Sequence, residues 1–327
     1  MRLLFVHSGK TDYLQDALYS GLVEVLGEKS VLCSSWYKRY HLGLWQHPRN
    51  LGYVGFQIPR WISREDLKTI DAVIIASCKA ETFKAFLGIE SLLPKQAKIV
   101  FVDGGDDPRI AGDLERENSM HLFGTMLQKR DLHLVFKREM LLDATYAQNV
   151  FPLNFSSGLD TTDVRSHFSR SIDVAFWAVE SHPTRTRILR SLSDKFDCTA
   201  NGTVQGNSFR RYTRTGRAYL QALQDVKISL NYRGAGWDTL RYWEVCALGG
   251  FLISQRPSIH IPNNFEHERS IVFVDDDPGE MLDRCEYYLR KDAERERIGA
   301  AAQSHSKQFH RKRHRAITVL SRIKGTF

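Results

Sequence analysis

Cysteine is sparse and unpaired in this chain: Cys33, Cys78, Cys198, Cys246 and Cys285 are odd in number and scattered. Most sit in apolar stretches such as IIASCKA and WEVCALG, and there is no CxxC pair. A disulfide framework and a zinc site built on paired thiols are thereby excluded, and reduced core thiols are expected. The chain also lacks a basic and apolar leader and any uninterrupted apolar run of about 18 residues, so neither a signal peptide nor a membrane span is expected and a cytoplasmic location is the default. Internal repeats and low-complexity segments are absent as well. Acid is missing from the C-terminal end: after Glu296 come only Arg297, Lys307, Arg311, Lys312, Arg313, Arg315, Arg322 and Lys324, eight cations against a net charge of +8 for the whole chain, so the first 296 residues are neutral on balance.

What is present is an alternation of strand and helix signals. At 327 residues the chain suits two domains of roughly 150 residues each, both large enough to bury a core. Strands are expected at Leu3–Ser8, Val31–Ser34, Ala72–Ala76, Ile99–Asp103 and Leu132–Phe136, with helices over Asp12–Leu26 and Glu81–Leu93. Beyond the polar, turn-rich Ser156–Arg170 the alternation resumes, with strands at 172–178, 226–232, 250–254 and 270–274 and helices at 184–195, 238–248 and 278–298. The fold class is α/β: two doubly wound Rossmann-like domains facing a central cleft, over 1–160 and 161–305. The basic tail 306–327 carries an incomplete apolar stripe (Phe309, Ile317, Leu320, Ile323), which suggests a C-terminal helix packed back on the body across the cleft with a solvated basic face. The aromatic region Trp36–Trp61 has no clear period and either lines a cleft or covers a sheet edge.

The segment Val226–Leu252, VKISLNYRGAGWDTLRYWEVCALGGFL, carries the chemistry. Val226, Ile228, Leu230 and Tyr232 alternate as a strand, Gly234 and Gly236 allow close backbone approach, and Asp238 is placed to cap a helix that starts near Thr239 and ends at Gly249 and Gly250. Arg241 and Glu244 share one face of that helix. A helix start with a cation and a carboxylate suits a nucleoside diphosphate, the phosphate on the free N–H groups and the ribose on the acid. Asn231 and Arg233 at the strand end either reach phosphate or ribose or are ordinary loop residues. Ser181–Arg187, SHPTRTR, brings arginines to another helix start, where Arg185 is placed to neutralise a leaving diphosphate.

The spacing Asp238, Arg241, Glu244, Ala247, Gly249, Gly250 resembles the D-x-x-R-x-x-E-x-x-A-x-G-G pattern of GT-B glycosyltransferases, in particular the CgeB-like branch and more distantly exostosin-type enzymes. Ile172–Leu192 and Ser270–Leu289 resemble the opening and closing elements of the family's donor domain, and LVFKREM from Leu134 is weakly similar in the first half. The resemblance implies a metal-independent, hexosyltransferase-type enzyme using a nucleotide sugar, most simply a UDP-sugar, with no further cofactor. Arg185 and Arg241 would hold the diphosphate, Glu244 the ribose, and Asn231, Arg233, Gly234, Gly236, Asp238 and Thr239 the rest of the donor. Many retaining members carry a second glutamate eight positions before the one matched by Glu244; here that position is Gly236, and Asp238 is the nearby acid that partly substitutes.

A base for the acceptor hydroxyl would come from His7 at the end of the first strand or from Asp106 and Asp107 in DGGDD. Lys137 and Arg138 lie at a strand end, as phosphate contacts or as solvated surface. Asp275–Asp277 precede Pro278 and read as a helix cap, not a manganese motif. The acceptor is a glycan, a small molecule or a modified nucleic acid base, the basic tail keeping DNA in play. The rival readings are a nucleotide-sugar epimerase on the same fold and a non-catalytic nucleotide- or polyanion-binding protein.

Overall fold

The computed structural model describes residues 1–43, 47–59, 62–159, 170–193, 195–196 and 216–325. Cys198, the boundary expected between 160 and 161 and most of the Ser156–Arg170 segment lie outside the described residues. The first sheet contains β1 (Leu3–Val6), β2 (Val31–Cys33), β3 (Ala72–Ile75), β4 (Lys98–Asp103), β5 (Leu134–Lys137) and β6 (Val150–Pro152). They pair in parallel in the order β2-β1-β3-β4-β5-β6. The second sheet, also parallel, runs β10-β9-β8-β7 through β7 (Ile172–Ala175), β8 (Val226–Asn231), β9 (Leu252–Gln255) and β10 (Val272–Val274). The order of the first sheet reverses between β1 and β3. Ligands bind beyond the strand ends at such a switch point, and there the loops after β1, β3 and β4 open into the cleft.

Strand periodicity places the layers. Leu3 and Phe5 of β1 and Val100 and Val102 of β4 face one cluster, while Leu4, Val6, Ile99 and Phe101 face another on the opposite side of the sheet. Each half has an outer core of its own, around Leu4, Val73 and Phe101 in the first and around Val174, Ile228 and Ile253 in the second, and a third cluster is shared between them. The inner cluster runs continuously from Leu3 and Phe5 through Trp177, Trp243 and Leu252 to Val319 and Leu320, because the C-terminal chain crosses back between the sheets. The helix Lys312–Lys324 packs on the helix Tyr13–Leu26, so closely that a Cβ at Gly21 would stand 2.5 Å from the Lys312 carbonyl oxygen.

Other expectations are corrected by particular contacts. The tail does not begin a helix at Ser306, which lies in the last turn of the helix Asp292–Phe309. Its basic face is not all solvated: Arg315 is buried and donates from Nε to the carbonyls of Asn154 and Phe155 at 3.0 and 3.1 Å and from Nη2 to Phe155 at 2.8 Å. Burial pulls its pKa down to about 10. The single helix expected over 278–298 is two, Pro278–Leu289 and Asp292–Phe309, because the buried Arg295 bonds both the Tyr288 carbonyl ending one and the Asp292 carboxylate opening the other. Strand β6 and the helix Gly216–Gln224 join the expected elements. Asp277 caps Pro278–Leu289 as its position suggests, accepting from the Gly279 N–H at 2.9 Å. Among the described residues no helix is long and apolar enough to cross a membrane.

One buried acid in the helix Tyr13–Leu26 makes the stability pH-dependent. Asp16 is fully buried, its Oδ1 accepting from Tyr40 Oη at 3.0 Å and Gln15 Nε2 at 3.1 Å while Oδ2 makes no hydrogen bond, and burial pushes its pKa up to about 7. A raised folded pKa contributes stability below the unfolded value of 3.8 that is lost as pH rises to about 7. Asp16→Asn is therefore expected to gain stability over the wild type as pH rises through this window, by on the order of 4 kcal/mol. Urea denaturation of both proteins at several pH values checks it, and parallel curves would refute it.

Candidate active site

A cleft of about 820 Å³ opens between the strand ends of the two sheets, large enough for a nucleotide sugar. Its second-sheet wall is built by three segments: the turn Trp177–Ser181 after β7 with the helix Pro183–Ser193, the glycine loop after β8, and the helix Leu240–Ala247. Arg185 is buried and donates only to uncharged oxygens: Tyr232 O from Nε and Nη2 at 3.3 and 3.1 Å, Val179 O from Nη1 at 2.9 Å, and Ser181 Oγ at 3.2 Å. Burial first, and the neighbouring Arg241 second, pull its pKa down to about 9. Arg241 donates from Nη2 to the Trp177 carbonyl, and its buried Nε and Nη1 make no hydrogen bond. Among the described residues neither arginine forms an ion pair. Two adjacent cations without a carboxylate leave the cleft wall with a strong preference for an anion.

Glu244 lies one turn deeper, its Oε1 accepting from His47 Nε2 at 2.6 Å and its Oε2 from Tyr219 Oη at 2.7 Å. His47 belongs to the first-sheet side, and its backbone sits so close to Gly216 that a Cβ there would overlap it. The carboxylate is thus held from both sides, its remaining lone pairs open to a ligand.

Opposite stand Asp106, Asp113, Arg138 and Phe155. Asp106 faces the cleft and is ion-paired with Arg138, while Asp113 accepts from the Asp106 and Asp107 N–H groups at 2.9 and 3.1 Å and so shapes the DGGDD loop. Beneath them Glu139 accepts from the backbone N–H of Trp237 at 2.7 Å and of Asp238 at 3.0 Å. Asp238 answers in the other direction, its Oδ2 accepting from the Phe155 N–H at 2.6 Å and its Oδ1 from Trp243 Nε1 at 2.7 Å. Burial raises the pKa of both acids, Glu139 to about 7, with Arg138 opposing the rise in each case.

The structure therefore brings Arg185, Gly234, Gly236, Asp238, Thr239, Arg241, Glu244 and Asp106 to one cavity. Other residues singled out in the sequence lie elsewhere. His7 is buried behind the cleft, Nε2 donating to the Ser35 carbonyl at 2.9 Å and Nδ1 accepting from the Gly9 N–H at 3.0 Å, so neither nitrogen is free to act as a base. Asp107 does not line the cleft and is paired, mostly covered, with the exposed Arg109 at 2.8 Å. Asn231 is buried between Ser254 Oγ at 3.1 Å and Thr239 Oγ1 at 2.6 Å, and Arg233 stacks on Trp237 with 4.3 Å to the ring centroid. Asp238 does not cap the helix Leu240–Ala247, whose N-cap is Thr239 without a side-chain bond; its carboxylate is drawn away by Phe155 and Trp243. Lys137 and Arg138 are not solvated: Lys137 is a buried partner of Asp103 at 3.1 Å. His47 and Tyr219 were silent in the sequence, and Glu139 stood only within the weakly similar LVFKREM segment with no role of its own, since no local pattern marks a residue whose partner is 25 to 197 positions away. Among the described residues no group of three or more His, Cys, Asp or Glu side chains is arranged to hold a metal ion.

Residues 185–321 match a family model described as glycosyl transferase-like. The whole chain superposes on solved structures at low identity. These include the Anabaena protein HepE in complex with UDP and glucose (TM-score 0.60, 10% identity, 99% of each chain covered). Sucrose-phosphate synthase from Thermosynechococcus elongatus is also similar (0.58, 8%, 99% of each chain). A third is an alpha-glucosyltransferase in complex with UDP and a 13-mer DNA containing a central A:G mismatch (0.56, 9%, 98% of each chain). No curated protein matches in sequence. The chain thus has the GT-B fold, and the resemblance to GT-B glycosyltransferases holds at a level broader than the CgeB-like branch.

Removing a carboxylate from the interdomain exchange leaves buried donors bare. Asp238→Ala is expected to cost about 2–4 kcal/mol, because the Phe155 N–H and Trp243 Nε1–H both lose their acceptor, whereas Glu65→Ala, which removes an exposed ion pair with Lys68, should cost under about 1 kcal/mol. Chemical denaturation of the two variants checks the difference, and equal losses would contradict it.

Proposed function

We propose that the protein is a glycosyltransferase that moves a hexose from a nucleotide sugar, in the simplest case a UDP-sugar, to an acceptor hydroxyl. The observation that carries this reading is the pair of adjacent guanidinium groups, buried Arg185 and half-buried Arg241, which line the cleft without an ion-pair partner among the described residues. A diphosphate supplies the missing negative charge. The GT-B fold and the UDP bound by structurally similar proteins support the same donor.

In this reading the diphosphate sits against Arg185, Arg241 and the glycine loop, and Glu244, aligned by His47 and Tyr219, accepts from the ribose hydroxyls. Transfer forms a bond from the acceptor oxygen to the anomeric carbon as the bond from that carbon to the phosphate oxygen breaks. The electron pair departs to the diphosphate, where the two arginines stabilise it without reorganising. The acceptor proton passes to Asp106, the carboxylate of the opposite wall that faces the cleft. The acceptor is a glycan, a small molecule or a modified base, and the wall that receives it carries Tyr13, Lys79, Asp113, Arg116 and Glu117.

Thermal-shift measurements with nucleoside diphosphates and nucleotide sugars test the donor site. UDP or a UDP-sugar should stabilise the wild type, and Arg241→Ala and Glu244→Ala should abolish the shift. Asp106→Asn should keep the shift and lower transfer about 10²–10⁴-fold. A folded protein that no nucleotide stabilises would overturn the reading, and an epimerised sugar nucleotide formed without any acceptor would replace transfer by epimerisation.

A further inference from the structure

Gly236 lines the cleft, and the space where its side chain would begin is already filled from the other sheet. A Cβ at this position would stand 2.5 Å from Glu139 Oε1, 2.7 Å from its Cδ and 2.9 Å from Asp106 Oδ1. Two carboxylates carried by loops after β4 and β5 thus converge on one α-carbon of the donor-side loop. Arg138 stands between them, ion-paired with Asp106 and with Nε 3.5 Å from Glu139 Oε1. Glu139 is almost wholly buried and spends its two oxygens on consecutive N–H groups, those of Trp237 and Asp238. The other end of the loop is pinned as tightly: a Cβ at Gly234 would stand 3.0 Å from both Arg185 Nη2 and Ser181 Oγ.

We propose that Glu139 is a positioning residue for transfer: it supplies from the acceptor-side sheet the carboxylate that residue 236 cannot carry, and thereby fixes the glycine loop against Asp106. The inference rests on the glycosyltransferase reading above. Its physical content is a match of geometry. A carboxylate has two oxygens and so satisfies two consecutive N–H groups, whereas a carboxamide satisfies one and turns its own donors on the second. The same negative charge balances the buried Arg138, whose ion pair aims Asp106 at the cleft. Glycine at 236 follows from this arrangement, since any larger residue would push Glu139 off the two N–H groups or Asp106 off Arg138. The groups facing Glu139 are Arg138, Asp106 and Asp238 together with the two peptide N–H groups. Burial raises the Glu139 pKa to about 7, so the ionised form that holds the loop is lost as the pH falls below neutrality.

The experiment pairs UDP thermal shifts with transfer kinetics over pH for the wild type, Glu139→Gln, Gly236→Glu and the exchange variant Glu139→Gly/Gly236→Glu. Glu139→Gln is expected to fold and to keep a UDP-dependent shift, to lose roughly 10²-fold in kcat, and to lose the wild-type fall in kcat below about pH 7. Gly236→Glu should be inactive, and the exchange variant should recover at least about tenfold over it, because one acid is again present at that place. Glu139→Gln with wild-type kcat and an unchanged pH profile would overturn the inference while leaving the donor reading intact. Loss of thermal stability at unchanged kcat would likewise reduce Glu139 to a structural clamp. A wild type that UDP does not stabilise would overturn the donor reading and this inference with it.

Discussion

The arrangement of the molecule depends on an exchange of carboxylates between its two halves. Glu139, from the first-sheet side, accepts from the Trp237 and Asp238 N–H groups, and Asp238, from the second-sheet side, accepts from the Phe155 N–H. Two of the three bonds are buried and the one from Trp237 is partly so, and all have a carboxylate as acceptor, the kind worth about 1.5–3 kcal/mol each and more costly still when one partner is removed. They join the DGGDD side of the cleft to the glycine-loop side at one point, so the distance from Asp106 to the donor wall is set there. Trp243 and Arg315 extend the joint behind it: the indole donates to Asp238, and the guanidinium lies over the indole at 5.0 Å while bonding the carbonyls of Asn154 and Phe155.

The arginines of the interior fall into two sorts, and their surroundings separate them. Arg138 is balanced by Asp106 and Glu139, and Arg315 is spent on carbonyls in the joint, within the field of Asp238. Arg185 and Arg241 differ because they face open volume, donate only to neutral oxygens, and repel one another. Burying like charges side by side is costly unless a counter-charge arrives. In the proposed function a ligand phosphate is that counter-charge.

Much of this was legible in the residues. Short continuous apolar runs located β1, β3, β4 and β9 and an alternating one located β8, and the interleaving with amphipathic helices pointed to parallel sheets, because burial on both faces writes itself into local sequence. Gly234, Gly236, Arg241 and Glu244 stood out as a group since a strand, a tight loop and a helix bring them together within one supersecondary unit. What was missed follows a different rule. Asp238 looked like a cap and is a cross-cleft acceptor; His7 looked like a base and is consumed by Ser35 and Gly9; the basic tail looked solvated and has Arg315 in the core.

By itself, then, the sequence determined most of the elements, their parallel character and the glycine loop between strand and helix, all of which depend on contacts between near neighbours along the chain. Only the tertiary structure decided which acid faces the cleft, that Glu244 is held by His47 and Tyr219, and that the carboxylate beside Gly236 comes from residue 139. Those are matters of distance between residues up to 197 positions apart. Nothing local constrains such pairs, since a buried carboxylate is selected by the donors that fold against it and not by the residues that flank it.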